Sequence, residues 1–455
     1  MAVNSNQPRD SFGSKFGIIA AAAGSAVGLG NIWKFPYEAG VNGGGAFLFI
    51  YLIFVLLIGV SVMVAELTIG RAGQRNAIGS FKALAPGKPW FLVGMMGIAA
   101  AFMIFAFYGA VAGWTLEYIY QSIRNGFAGK SPEDLSQMFT EFTTNPARPI
   151  MWQTLFLIMT AGVVIAGVQK GIEKYSKILM PLLLLIILVL IVRSVTLSGA
   201  REGINFLFKP DFSKVTGHTI ISALGQAFFS LSLGMGTIIT YGSYIKKKEN
   251  LLNTAVQVSL ADTLIAVLAG LAIFPAVFAF GINPSEGPGL VFITLPNIFQ
   301  QMPGGYVFSL MFFILLAIAA LTSTISLLEV IVAYFSEELK MSRKRATLLA
   351  SSGILFLGIL CSLSQGPIAG FKIFGLNIWD FLDFTSTKII LPLGGLFIVI
   401  FVGFVLGRKR VTEELNNEGT LKARLLPVVM FLIRFVAPIA IALVFLNMIG
   451  ILKIT

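Results

Sequence analysis

The chain has 455 residues, of which 56% are hydrophobic and only 12% charged, with a formal net charge of +12. A water-soluble core of this size does not need that balance, whereas a bilayer solvent does, so the sequence describes an integral membrane protein. Cys361 is the only cysteine and His218 the only histidine, which excludes a disulfide framework, a zinc cluster and a Cys/His or Ser/His catalytic pair.

Apolar runs long enough to cross a bilayer, such as Ala46 to Ala65 and Ile178 to Val192, recur roughly eleven times. The expected helices lie near 14–40, 44–72, 89–124, 149–168, 173–196, 217–245, 251–282, 304–338, 344–365, 376–407 and 424–451. The polar stretch Met1 to Ser14 has no small-residue cleavage site behind it, so a retained, cytoplasmic amino terminus is expected. The longest loops, Asn125 to Arg148 and Leu197 to Gly217, then fall outside and are expected to carry short helices. The carboxyl terminus also falls outside.

The basic residues sit in short loops and follow the rule that orients membrane proteins. About 21 Lys and Arg face the cytoplasm, among them Arg71, Arg75, Lys82, Lys88, Lys246 to Lys248, Arg343 to Arg345 and Arg408 to Arg410, against about 9 outside. The net charge is therefore read as topology, and no nucleic acid is expected as a partner. The expected location is a cell inner membrane, as a monomer or homodimer.

Two helices have their apolar pattern broken at glycine: Gly24-Ser-Ala-Val-Gly28-Leu-Gly30-Asn31 in the first, and Ser230-Leu-Ser232-Leu-Gly234-Met-Gly236-Thr237 in the sixth. A bilayer offers no water to freed backbone groups, so an unwound turn survives there only where it lines a polar cavity. Gly-x-Gly taken alone more often marks close helix packing. The two breaks, five helices apart, instead suggest a repeated architecture with a midplane binding site.

The segments Gly24 to Tyr37, Asn42 to Phe47, Gly225 to Gly236 and Ala319 to Ser323 resemble signatures of the neurotransmitter:sodium symporter family, and eleven rather than twelve helices resemble its bacterial amino-acid transporters. The resemblance implies an all-α membrane protein with a five-plus-five inverted repeat, residues 14–196 and 217–407, followed by a last helix at 424–451. Helices one and six would break around a substrate and two sodium ions.

The family pattern places the first ion on the Ala26 carbonyl, Asn31, Ser230 and Asp262, and the second on the carbonyls of Gly24, Val27 and Ala319 with the hydroxyls of Thr322 and Ser323. Hard oxygens of this kind suit sodium. The Ala-x-x-Thr-Ser spacing also puts a carbonyl and a hydroxyl on one helical face. Asp262 is a carboxylate within an apolar segment and hence a functional candidate in its own right. By resemblance it supplies a negative charge that chloride-dependent relatives take from the anion.

The aligned position that holds an aspartate in animal monoamine carriers is Gly28 here, which fits a substrate bringing its own carboxylate. That group would meet the Leu29 and Gly30 amides and the Tyr108 hydroxyl; the amine would meet carbonyls of Ala26, Phe229 and Ser230, next to Ser25. Ile104, Phe229, Ser232, Met235, Ser326 and Leu327 would surround the side chain. The flexible Met235 in this apolar pocket points to an aromatic or large aliphatic amino acid.

Lys34 and Asp383 match the family's outer gate, assisted by Gln226, although lysine cannot form the bidentate pair arginine makes. Arg9 and Phe12 match its inner latch, with Tyr244 and Glu337 as partners, and phenylalanine here replaces tryptophan. Glu66 matches a carboxylate that holds the unwound backbone of helix six. Gly171 and Pro181 flank nine residues at the cytoplasmic end of helix five, where a proline kink and a helix able to unwind look alike in sequence.

Overall fold

The computed structural model describes residues 10–282, 289–417 and 425–452. Its first crossing is bent by 54° between α1 (Lys15–Ala26) and α2 (Gly30–Val41). Then follow α3 (Gly45–Gly73), α4 (Ala77–Leu84), α5 (Phe91–Ile123), α6 (Pro132–Thr144), α7 (Arg148–Ile165), α8 (Val168–Val195) and α9 (Ala200–Phe208). The second interrupted crossing is α10 (Gly217–Ser230) and α11 (Thr237–Gly242), separated by residues 231–236. After it come α12 (Leu251–Ala279), α13 (290–301), α14 (Gly305–Glu337), α15 (Arg343–Leu363), α16 (Ile378–Leu415) and α17 (Leu426–Met448).

Among the described residues there is no β-strand, only an isolated bridge between Ile373 and Leu376. Among the described residues, nine uninterrupted apolar spans, the bent α1–α2 pair and the interrupted α10–α11 correspond to the eleven crossings read from the sequence. The short helices expected in the two longest loops are present as α6 and α9. The sequence reading passed over α4 and α13 because each is short, and it ended the tenth crossing too early. Gly407 takes φ +79, a left-handed geometry open to glycine, and the chain turns there and runs on as helix to Leu415.

Helix starts at the water boundary are fixed by polar caps. Ser14 accepts from the Gly17 amide, Asn76 from Gly79, Asn250 from Asn253 and Asn377 from Asp380, and Ser131 forms a capping box with Asp134. Lipid-facing helices such as α8 carry rows of exposed Leu, Ile and Val. Buried α14 packs against α1, α5, α7, α8 and α15 and forms the post around which both broken crossings are arranged.

Candidate substrate and ion site

The two breaks form for different local reasons. In the sixth crossing Ser232, Gly234 and Gly236 take φ of +55, +83 and +75, a left-handed backbone that favours glycine at the latter two. In the first crossing Gly28 and Gly30 have ordinary backbones but no room. A Cβ on Gly28 would overlap Ser323 Oγ and come within 2.8 Å of the Tyr108 hydroxyl, and one on Gly30 would meet the Phe229 ring at 3.2 Å. The freed groups are satisfied locally: the Gly234 amide donates to Glu66 Oε1 at 2.7 Å, and the Ser232 hydroxyl donates to the Ser25 carbonyl at 2.9 Å, tying one break to the other.

Beside the breaks lies a buried polar cluster. Asn31 Nδ2 donates to Asp262 Oδ1 at 2.7 Å, to the Asp262 carbonyl at 3.1 Å and to Ser230 Oγ at 3.1 Å, while Ser230 Oγ donates to Asp262 Oδ2 at 2.8 Å. The Gly28 amide donates to Asn31 Oδ1 at 2.9 Å, so the side chain is oriented by the break it adjoins. Asn31 and Asp262 are completely buried and Ser230 nearly so. The set offers carboxylate, amide and hydroxyl oxygens, the donor chemistry a hard cation takes.

A second oxygen cluster joins α14 to the first break. Thr322 Oγ1 lies 3.3 Å from the Val27 carbonyl and 3.0 Å from that of Ala319, and Ser323 Oγ lies 3.2 Å from Val27 O. Gly24 packs directly on Thr322, where a Cβ would meet Thr322 Cβ at 3.2 Å. All five residues expected for the second ion are therefore in one place. Thr322 also bonds back to its own helix at Ile318 O, 3.3 Å away.

Between these clusters is a small cavity of about 40 Å³ lined by Ser25, Ala26, Gly30, Ile104, Tyr108, Phe229, Ser230, Ser232, Met235 and Leu327, together with Gly28 and Ser323. The Ser25 hydroxyl, which lines it, has no hydrogen-bond partner among the described residues. Two expected residues are placed differently. Leu29 lines the vestibule above, its amide donating to the Tyr108 hydroxyl at 3.0 Å. Ser326 is absent from the lining because its hydroxyl pairs with Tyr241 at 2.8 Å and with the Thr322 carbonyl at 3.2 Å.

Above the small cavity is a vestibule of about 520 Å³, and Phe229 lines both. Lys34, Asp383 and Glu38 line the vestibule, but Lys34 Nζ rests 4.0 Å from the centre of the Phe229 ring. Asp383 Oδ1 accepts from Thr387 at 3.2 Å, and Gln226 Nε2 donates to the Gly30 carbonyl at 3.2 Å. The residues matched to the outer gate thus include an aromatic ring with a cation on its face, a favourable pairing of charge and ring quadrupole.

The side expected to face the cytoplasm is tightly packed around Phe12. Phe12, 1% exposed, stacks edge-on against Tyr241 and Tyr244, and its amide donates to the Tyr244 carbonyl at 3.2 Å. Arg9 lies outside the described residues. Glu337 accepts from the Asn76 amide at 2.7 Å and its side chain at 3.0 Å, fixing the start of α4. The Tyr244 hydroxyl donates to Glu329, at 2.7 Å, and Arg343 grips Glu329 at 2.5 and 3.2 Å. Sequence reasoning missed Glu329, although a carboxylate within Leu327-Leu-Glu-Val-Ile331 carries the same signal that singled out Asp262.

Pro181 sits inside α8. Gly171 is required for packing, since a Cβ there would overlap the Val163 carbonyl across the tight α7–α8 turn at Gly167. At the end of α3, fully buried Arg71 bonds Glu414 Oε2 at 2.8 Å and the Glu249 carbonyl at 2.5 Å, so the extension of α16 is clasped to α3.

Two interrupted helices facing each other across buried oxygen clusters define a secondary transporter of the broken-helix class. A model of the sodium:neurotransmitter symporter family matches residues 9–141 and 133–454. The sodium-dependent transporter YhdH of Bacillus subtilis (strain 168) is 42% identical over 449 residues, covering 99% of this chain and 100% of that one. A sodium-dependent transporter of Haemophilus influenzae is 40% identical, over 97% of this chain and 98% of its own. The crystal structure of MhsT in complex with L-phenylalanine is similar at 48% identity and a TM-score of 0.89, over 97% of this chain and 100% of that chain. The chain belongs to the sodium:neurotransmitter symporter family and is a sodium-dependent membrane transporter.

Proposed function

We propose that this transporter carries a hydrophobic L-amino acid, aromatic or large aliphatic, together with two sodium ions, without chloride. The observation that carries the reading is the meeting of Asn31 and Asp262 with Ser230, which itself lines a cavity walled by Ile104, Met235 and Leu327. A zwitterion placed there would set its carboxylate toward the Gly30 end of the first break, Tyr108 and the first ion, and its side chain among apolar groups. The MhsT structure, with phenylalanine bound, supports the same class of cargo.

The first ion would take oxygens of Ala26, Asn31, Ser230 and Asp262, and the second those of Gly24, Val27, Ala319, Thr322 and Ser323. Asp262 brings a negative charge to the first cage, and this underlies chloride independence. Residues 14–196 and 217–407 would form the two inverted halves, with the amino terminus cytoplasmic and the carboxyl terminus outside.

The cavity of about 40 Å³ is far below the roughly 300 Å³ and upward of ligand pockets, so Phe229 and Tyr108 must move for entry. Ions that favour the outward arrangement prepare that opening by linkage. Uptake of a labelled amino-acid panel into proteoliposomes, with sodium or potassium and with chloride or gluconate, tests the reading. Sodium-driven, chloride-indifferent accumulation of bulky apolar amino acids is expected; accumulation of none of them under a sodium gradient would overturn the cargo assignment.

A further inference from the structure

We propose that Glu173 is a positioning residue that latches the cytoplasmic end of α8 to the start of α1 and so closes the inward exit of the second sodium site. The inference rests on the two-ion reading and names the group that retains one of those ions.

Glu173 is 3% exposed, and its carboxylate is committed to the chain that precedes α1. Oε2 accepts from the Gly13 amide at 2.7 Å, and Oε1 accepts from the Ser14 hydroxyl at 2.9 Å and pairs with Lys177 at 2.6 Å. The same Ser14 hydroxyl accepts from the Gly17 amide at 3.0 Å as the cap of α1. One oxygen thus serves both helices, and the latch and the helix start are a single object.

Gly17 provides the seat for the carboxylate, because a Cβ at that position would overlap Glu173 Oε1, Cδ and Cγ. Gln169, on the same turn, donates to the Ser11 carbonyl at 2.6 Å and extends the clasp outward. Two turns deeper on α8, Met180 stands against the ion cage: its Sδ would be 3.4 Å from a Cβ on Gly24. The stretch from Glu173 to Met180 therefore lies along α1 from the membrane surface to the ion.

The backbone is irregular at both ends of that stretch. Wide π-type turns over Val168–Glu173 lead into it from Gly167, at φ +95, and at its far end Pro181 lacks an amide hydrogen. A segment bounded in this way depends on side-chain contacts, and those of Glu173 join it to α1. Breaking them frees the wall carried by Met180 and opens a water path to the ion.

The test places a cysteine at Ser176, one turn inward of Glu173 and buried, in a Cys361→Ala background, and measures its modification by a water-soluble maleimide from the cytoplasmic side. In the parent, sodium is expected to slow labelling relative to potassium. In Glu173→Gln the sodium rate is expected to rise about tenfold, approaching the potassium rate, as fits the loss of a charge-assisted hydrogen-bond set. Ser14→Ala, which removes one of the bonds, should give a smaller rise, and Glu173→Asp should recover part of the protection. A general loss of packing would raise labelling in both cations equally and would overturn the latch, as would a Glu173→Gln protein as well protected by sodium as its parent. A parent that sodium does not protect would overturn the latch together with the second ion site, whereas a failed amino-acid uptake assay would leave this readout intact.

Discussion

Asn31 and Asp262, 231 positions apart in the chain, meet through a 2.7 Å hydrogen bond at the point where the first crossing restarts as α2. The same Asn31 amide group reaches the Asp262 carbonyl and Ser230, so a single side chain joins both broken crossings and α12. A buried carboxylate in hydrocarbon is costly without partners, and this one has two neutral donors and no basic partner among the described ion pairs.

Asp262→Asn keeps the shape of the cluster and removes its charge. The half-saturating sodium concentration for amino-acid binding should rise about tenfold, equivalent to about 1.4 kcal/mol. Chloride should then restore part of the affinity that gluconate does not. Sodium titrations of equilibrium binding in the two anions measure both effects, and an unchanged titration would remove Asp262 from the ion site.

Thr322→Val is nearly isosteric and deletes a hydroxyl that faces the Val27 and Ala319 carbonyls. Sodium affinity should fall about tenfold, in the range of one lost oxygen to a charged ligand, while Thr322→Ser stays near wild type. The sodium dependence of thermal melting provides the measurement. Equal behaviour of the valine and serine variants would place the second ion elsewhere.

Gly28→Ala should abolish uptake, because the added methyl overlaps Ser323 Oγ and crowds the Tyr108 hydroxyl. Overpacking of a tight site costs about 1–3 kcal/mol, so the protein should still fold, with a melting temperature that no longer responds to sodium. A variant that transports normally would show that Tyr108 and Ser323 separate freely at this level.

Lys34→Met should accelerate substrate release rather than weaken folding. The ammonium lies over the Phe229 ring at 4.0 Å, and such a contact is worth about 0.5–2 kcal/mol, so dissociation of labelled substrate should quicken by about two- to thirtyfold. Lys34→Arg should hold the rate near or below that of wild type. If instead Asp383→Asn reproduces the whole effect and Lys34→Met does not, the gate is an ion pair.

Much of the architecture was legible in the sequence because the bilayer enforces it. Hydrocarbon requires long apolar helices whose backbone bonds close within themselves, so length and hydropathy alone mark nine uninterrupted crossings and the bent α1–α2 pair among the described residues, to within a few residues at most boundaries. The same constraint made the two glycine breaks conspicuous, and with them Asn31 and Ser230, while Thr322 and Ser323 entered through the family resemblance. Short helices such as α4 and α13 have no comparable signal, since water at the surface tolerates helix and loop alike.

The tertiary structure decided what each residue touches. Gly234 and Gly28 look equivalent in sequence, yet one answers a left-handed backbone and the other the approach of Ser323 and Tyr108 from other helices. Lys34 could be matched to Asp383 by position, but the packing of Phe229 beneath it sets the ammonium on a ring. Glu329 and Glu173 stand in the sequence as isolated carboxylates. Only the folding of α15 against α14, and of the chain before α1 against α8, supplies the Arg343 and Ser14 groups that they hold. Hydropathy is a property of segments and survives in one dimension; a hydrogen bond between residues 159 positions apart exists only once the chain has closed on itself.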